Sequence, residues 1–380
     1  MKRCFLFFLS CLLFVSAKAY QTDNLQVSLL TVMPRSNHVY TIYGHTALRL
    51  YDPSQQIDVV FNWGTFDFNA PHFIYRFVRG ETDYFLTWTN YVQFLSVYQV
   101  ANASVVEQIL DLSVEGKEIL LEKLGINMLP QNVVYRYNFL FDNCTTRVRD
   151  LIEQSSPDLV YPNQGEKTTF RKLIHSCTES YVWMTFGIDL LVGAGADSLI
   201  GVRQELFLPV KLETILDSTS VVVSSEQMLT SIPESAFKLK FLESPFIVGF
   251  IIMAVYIIIA VIGYIKRRLF RGWFSPLFLV AGMAGTLIAF MAAFSQHPCM
   301  WPNWNLLWLH PLHWIGFAGY FFKKTRRWVT WYHAANLVIL HLLLVMWHWI
   351  PQAFNPANIP FVGCLMVASG SYLGYAKFRK

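Results

Sequence analysis

Two segments of the chain carry side chains able to do covalent chemistry: Cys144 in NFLFDNCTTRVRD and His45 in YGHTALRL. A thiol attacks as the thiolate, so it needs a base within hydrogen-bond reach and surroundings that favour the charged form. Asn143 is a helix N-cap residue type, and Arg147, Val148, Leu151 and Ile152 follow at helical spacing, so the pattern predicts a helix with Cys144 in its first turn. There the helix dipole and free backbone N–H groups lower a thiol pKa and can hold an oxyanion. The chemistry this predicts is acyl transfer through a thioester, with His45 as the base. The competing reading makes Cys144 a small buried core residue or one half of a disulfide with Cys177, and His45 an ordinary core or surface histidine.

The rest of the chain must bring two segments about a hundred positions apart to one place, and composition says in what setting. At 54% hydrophobic, 16% aromatic and 14% charged residues, the chain is too apolar for a water-soluble globule and fits a membrane protein. The formal net charge of +5 falls largely in short clusters between apolar runs. No basic stripe interleaves with aromatics, so nucleic acid is not expected as a partner. At the N-terminus, Lys2 and Arg3 precede an apolar run over 4–15 and a small-x-small site, Ala17-Lys18-Ala19. This is the pattern of a secretory signal peptide ending at residue 19. A lipoprotein-type signal ending at Cys11 is disfavoured by the short apolar stretch before it.

Five apolar stretches, 246–265, 276–294, 306–322, 331–350 and 359–376, are each long enough or nearly so to cross about 30 Å of hydrocarbon as a helix. Basic clusters follow the first (Lys266, Arg267, Arg268, Arg271), third (Lys323, Lys324, Arg326, Arg327) and fifth (Lys377, Arg379, Lys380), and none follows the second or fourth. The positive-inside rule then places the C-terminus in the cytoplasm and residues 20–243 outside, in agreement with the signal peptide. The expected organisation is a signal peptide over 1–19, a periplasmic catalytic domain over 20–243 and a membrane domain of five helices over 244–380. Strand-like runs at 26–32, 47–51 and 59–62 beside helical spacing over 104–124 make the periplasmic part α+β.

The run YTIYGHTALRLYDP, then DVVFNWGTFDF, FVRGETDYFLTW, VYRYNFLFDNCTTRVRD, FGIDLLVGAGAD and ELFLP resembles the Lnb N-terminal periplasmic domain family of Bacteroidota, and PNWNLLWLHPL is similar to the membrane half of the same proteins. The resemblance implies an N-acyltransferase that completes bacterial lipoproteins in the inner membrane, with the His of the YGH motif and the Cys of the DNC motif as its pair: His45 and Cys144. The order of a strand His followed much later by an Asn-Cys at a helix start is also similar to permuted papain-like enzymes such as lecithin retinol acyltransferase. That likeness implies a cysteine that takes an acyl chain from a phospholipid as a thioester. The acceptor would be the N-terminal amine of a lipid-modified apolipoprotein. It also implies a polar third member on the strand after the His, for which Asn62 is the first choice and Asp67 the second.

Tyr43 and Asp142 flank the pair and can bind or orient, Asn143 caps the helix, and Arg147, Arg149 and Asp150 can form an ion-pair network holding it. In the membrane half, His297, Asn303, Asn305, His310, His313 and His348 are expected toward the periplasmic side, where they can meet a phospholipid head group or the acceptor. His310 and His313 share a helical face, but His among Trp301, Trp304, Trp308 and Trp314 is ordinary for a membrane interface, so neither a metal nor a cofactor is expected. Two other functions fit the same residues. A membrane-anchored cysteine peptidase or amidase acting on cell-wall peptide would use the same pair, although one anchor would suffice for it. A non-enzymatic lipid-binding module would have Cys144 tied to Cys177.

Overall fold

The computed structural model describes residues 22–35, 41–162, 167–231, 243–322 and 326–377. The expected signal peptide lies outside the described residues. Seven antiparallel strands form one sheet: β1 (Gln26–Val32), β2 (His45–Asp52), β3 (Ile57–Thr65), β4 (Asp83–Asn90), β5 (Val105–Leu110), β6 (Val134–Arg136) and β9 (Val222–Leu229), in the order β6-β4-β3-β2-β1-β5-β9. A separate two-stranded ribbon pairs β7 (Thr168–Thr169) with β8 (Leu199–Ile200).

Alternation along the central strands gives each face its own core. Val27 and Leu29 of β1 with Leu48 and Leu50 of β2 pack against α3 (Val114–Met128), α4 (Cys144–Ser155) and α8 (Pro209–Asp217). Leu30 and Val32 pack on the opposite face with Tyr91 and Phe94 of α2 (Tyr91–Val100). Two further helices, α5 (Phe170–Thr178) and α6 (Val182–Leu191), lead toward the membrane half, and a short α1 (Phe73–Val78) lies between β3 and β4. A single-turn α7 (Val202–Glu205) follows β8.

The window 104–124 is not one helix. Val105 to Leu110 pair with β1 as β5, and the helix starts only after Ser113, whose side chain accepts the Gly116 N–H as an N-cap. Consecutive β-branched Val105 and Val106 favour the strand, which fills the slot between β1 and β9.

The membrane half contains α9 (Pro245–Ile265), α10 (Arg271–Phe294), α11 (His313–Gly319), α12 (Arg326–Val345) and α13 (Asn358–Lys377). Among the described residues three helices, Pro245–Ile265, Arg271–Phe294 and Arg327–Val345, are long and apolar enough to cross a membrane. The stretch expected as a third span departs from a helix. It holds a 3-10 turn, Trp304–Leu307, an irregular run and the seven-residue α11. This segment runs back along α10, with His310 against Gly285, Trp314 against Gly282 and Gly316 against Phe278. Pro311, which has no backbone N–H to donate, precedes α11.

Candidate active site

His45 is the first residue of β2 because Gly44 makes the turn before it: φ there is +81°, and a Cβ would stand 2.6 Å from Val32 O. In the β2–β3 register Ala47 pairs with Asn62, so His45, two residues before Ala47, lies on the same face as Asn62. Their side chains meet, with His45 Nε2 donating to Asn62 Oδ1 at 3.1 Å. Asn62 Nδ2 reaches Val60 O at 3.5 Å, which orients the amide. With Nε2 engaged, Nδ1 is the ring nitrogen left for the thiol.

Cys144 is the first residue of α4. Asn143 precedes it in extended conformation and accepts the N–H groups of Thr145 and Thr146, both at 2.8 Å, while Thr146 Oγ1 accepts the Asn143 N–H at 2.8 Å. This reciprocal cap consumes two of the free donors of the first turn. The N–H of Cys144 itself takes no partner among the described residues. Asn143 Nδ2 also donates to Phe139 O and Phe207 O, both at 2.9 Å, pinning the start of α4 to two neighbouring loops.

Helix α4 is set against the sheet by Thr145, whose hydroxyl meets that of Thr46 at 3.0 Å. On the other side of the sulfur stands Gly64, at a bulge where the β3–β4 register shifts between Asn62 and Thr65. Its φ is +88°, and a Cβ there would touch Cys144 Cβ at 3.6 Å and Tyr137 Cε2 at 3.8 Å. Glycine thus leaves open the space beside the thiol.

The electrostatics of the pair are reciprocal. Burial pushes the Cys144 thiol up, but the charge and hydrogen bond of His45, the Thr46 N–H and the Thr145 hydroxyl outweigh it, and the pKa falls below its ordinary 9.0. Burial likewise disfavours a charged His45, yet the Cys144 thiolate and the hydrogen bonds to Cys144 and Asn62 raise the imidazole above 6.5. Both directions favour a thiolate–imidazolium pair. Cys144 and Cys177 are both free thiols, so the disulfide alternative is not formed.

Other expected residues take different places. Asp67 is not behind Asn62: it is exposed and accepts the Asn69 N–H at 2.8 Å as a turn cap, because the bulge at Gly64 breaks the alternation of β3 before reaching it. Tyr43 packs in a cluster with Leu140, Phe170 and Cys177. Asp142 pairs bidentately with Arg147, whose guanidinium lies 3.6 Å from the Tyr135 ring centroid, so both brace the loop ahead of Cys144. Arg149 pairs with Asp150 at 2.6 Å.

The polar side chains expected to meet a head group make contacts within the protein. Asn303 donates to the carbonyls of Leu190 and Leu191, Asn305 to that of Asp189, and both asparagines are buried. They satisfy the carbonyls that the end of α6 leaves without intrahelical partners. His297 donates to Phe77 O at 2.6 Å, and His310 stacks on His313 at 4.0 Å. No group of three or more His, Cys, Asp or Glu able to hold a metal occurs among the described residues. Thr46, Gly64 and Thr145 are contributors the sequence reading missed; adjacency to His45, Asn62 and Cys144 was the available signal.

Two family models match the chain: the Lnb N-terminal periplasmic domain over residues 15–176 and the Lnb transmembrane domain over residues 236–379. The first spans all of His45, Asn62 and Cys144. No curated protein and no solved structure matches the chain.

Proposed function

The chain belongs to the Lnb family, whose periplasmic and transmembrane domains it carries in that order, and from this premise we propose that it is an apolipoprotein N-acyltransferase of the bacterial inner membrane. The family suggests an enzyme of lipoprotein processing in a membrane. The finer reading moves a fatty acyl chain from a phospholipid, through a thioester on Cys144, to the amine of an N-terminal diacylglyceryl-cysteine. The observation that carries it is the Cys144–His45–Asn62 row at the start of α4. Its chain order and helix-start cysteine support the permuted papain-like reading.

In the first half-reaction the Cys144 thiolate attacks the ester carbonyl carbon, and the S–C bond forms as the C–O bond to glycerol breaks. The His45 imidazolium gives its proton to the departing alkoxide, releasing a lysophospholipid. The free N–H of Cys144 is the backbone donor offered to the oxyanion. In the second half-reaction the lipoprotein amine attacks the thioester, His45 takes its proton, and the C–S bond breaks to restore the thiolate. Asn62 acts through His45 by holding Nε2–H. A thioester undergoes aminolysis readily, which suits an amine acceptor.

The test is to incubate the full-length protein with phospholipid and a diacylated lipopeptide and to follow both by mass spectrometry. The expected products are an acyl chain on Cys144 and, after it, on the peptide amine. Acylation at the normal rate by Cys144→Ser or His45→Ala would reject the mechanism. Lysophospholipid and free fatty acid without acylated peptide would point to the hydrolase class.

A further inference from the structure

Helix α1 buries none of its residues. Ile74 is 78% exposed, Tyr75 54% and Phe77 48%, and Phe68 just ahead of them 61%. Water-exposed apolar side chains scattered singly are ordinary, but four within ten residues make a patch that marks an interface. What anchors α1 is the outer end of α10. Ser295 Oγ donates to Val78 O at 2.8 Å, Gln296 N donates to Arg79 O at 2.7 Å, and His297 Nε2 donates to Phe77 O. Gly80, at φ +67°, permits the approach, since a Cβ there would stand 2.7 Å from His297 N. Because α10 is long and apolar enough to cross a bilayer, these bonds set α1 at the level where that helix leaves the hydrocarbon.

From the patch a row of rings leads to the sulfur. Phe68 contacts Phe73 at 5.2 Å between centroids, and Phe73 stacks on Phe66 at 5.9 Å. Phe66 meets Tyr84 at 4.9 Å, and Tyr84 stacks on Tyr137 at 4.2 Å. Tyr137 and Cys144 both line the space kept open by Gly64. The row passes inward from the exposed patch, through partly buried Phe73, Phe66 and Tyr137 and the buried Tyr84, to the core beside the thiol, so its ring edges are the apolar contacts an acyl chain would meet on the way to the nucleophile.

We propose that α1 docks in the outer leaflet of the membrane and that the row from Phe68 to Tyr137 receives one acyl chain of a phospholipid on its way to Cys144. The fate of that chain rests on the function proposed above; the docking does not. A solvent-facing patch for another protein would need no ring path to the thiol, and its bonds to α10 would have no reason to sit at the bilayer edge.

Full-length protein with p-benzoylphenylalanine in place of Ile74 is reconstituted in nanodiscs of phosphatidylethanolamine and phosphatidylglycerol, irradiated and analysed by mass spectrometry. The expected product is a residue-74 peptide carrying the mass of intact phospholipid, formed equally in a Cys144→Ala background. Absence of lipid adducts at 74, or adducts to protein alone, overturns the docking. Ile74→Glu is expected to slow loading of Cys144 from the same nanodiscs about tenfold, since a charge is disfavoured at this depth, with Ile74→Leu near normal. Undiminished loading in Ile74→Glu overturns the acyl path. If the transfer function itself is wrong, unsubstituted protein leaves Cys144 unacylated while the adduct at 74 still forms, which supports the docking surface and removes only the transfer reading.

Discussion

At the scale of single residues, the pair is defined by opposing effects on one sulfur. Burial alone would hold the Cys144 thiol above its ordinary 9.0, and it is His45 that brings it below. His45→Ala removes the lowering charge and hydrogen bond, leaves the burial, and moves the thiol pKa upward. Iodoacetamide alkylation of Cys144 against pH should show a midpoint below 9.0 in the unsubstituted protein and a higher midpoint in the variant. At neutral pH the rate should drop by about tenfold or more. Coincident profiles would mean that the two groups are not coupled. That His45 and Cys144 belong together was legible in the sequence because a histidine, a cysteine and a helix cap are residue types with positional meaning, and Asn62 followed from the likeness to permuted papain-like enzymes. The Thr46–Thr145 contact was not legible, because threonine, unlike cysteine or histidine, is not a residue type that by itself marks reactive chemistry. Nor was the exposure of Asp67, because alternation predicts a face only until a bulge resets it.

At the scale of elements, the start of α4 is what aims the thiol. Asn143 both caps the helix and ties it to Phe139 and Phe207 through its amide nitrogen. Asn143→Ala removes the cap and leaves those carbonyls short of a donor, so a loss of about 1–2 kcal/mol is expected. Asn143→Asp keeps the acceptor but not the donor and should fall between the two. Thermal unfolding of the detergent-solubilised full chain measures this; equal melting temperatures for all three proteins would show that the cap does not matter. Helix α4 was readable because its cap, stripe and length agree. The 104–124 window was not, since the β5 strand and the α3 helix abut with only a short turn at Asp111–Ser113, and apolar positions from both satisfy one helical template. The third apolar stretch misled for a related reason: hydropathy counts apolar residues, whereas the backbone there is broken at Pro311 and packed against α10.

At the scale of the whole molecule, the periplasmic sheet and the membrane half meet through polar groups placed where α6 ends. Asp189, 2% exposed, accepts from Arg171 Nη1 and His175 Nε2, each at 2.8 Å, and from Asn355 Nδ2 at 2.9 Å, the last from the loop between α12 and α13. Asn303 and Asn305 close the neighbouring carbonyls from the loop after α10. Hydropathy marks where the two halves divide but says nothing about what joins them, since these partners are more than a hundred positions apart for every bond from α6 to the membrane loops. Burial alone would raise the Asp189 carboxyl, but His175, Asn355 and Arg171 together hold it below its ordinary 3.8. A depressed carboxylate stabilises the fold above its unfolded pKa and loses that contribution as pH falls through the lower folded value, so acidification removes what Asp189 itself contributes. Asp189→Ala removes one partner of a buried pair and leaves Arg171 with Asp197 as its remaining carboxylate, a change expected to cost about 3–5 kcal/mol. Differential scanning fluorimetry of the full chain at neutral pH should show the loss. A variant that melts with the unsubstituted protein would mean that apolar packing of Met291 and Met300 against Leu173 and Val192, and not the Asp189 cluster, joins the two halves.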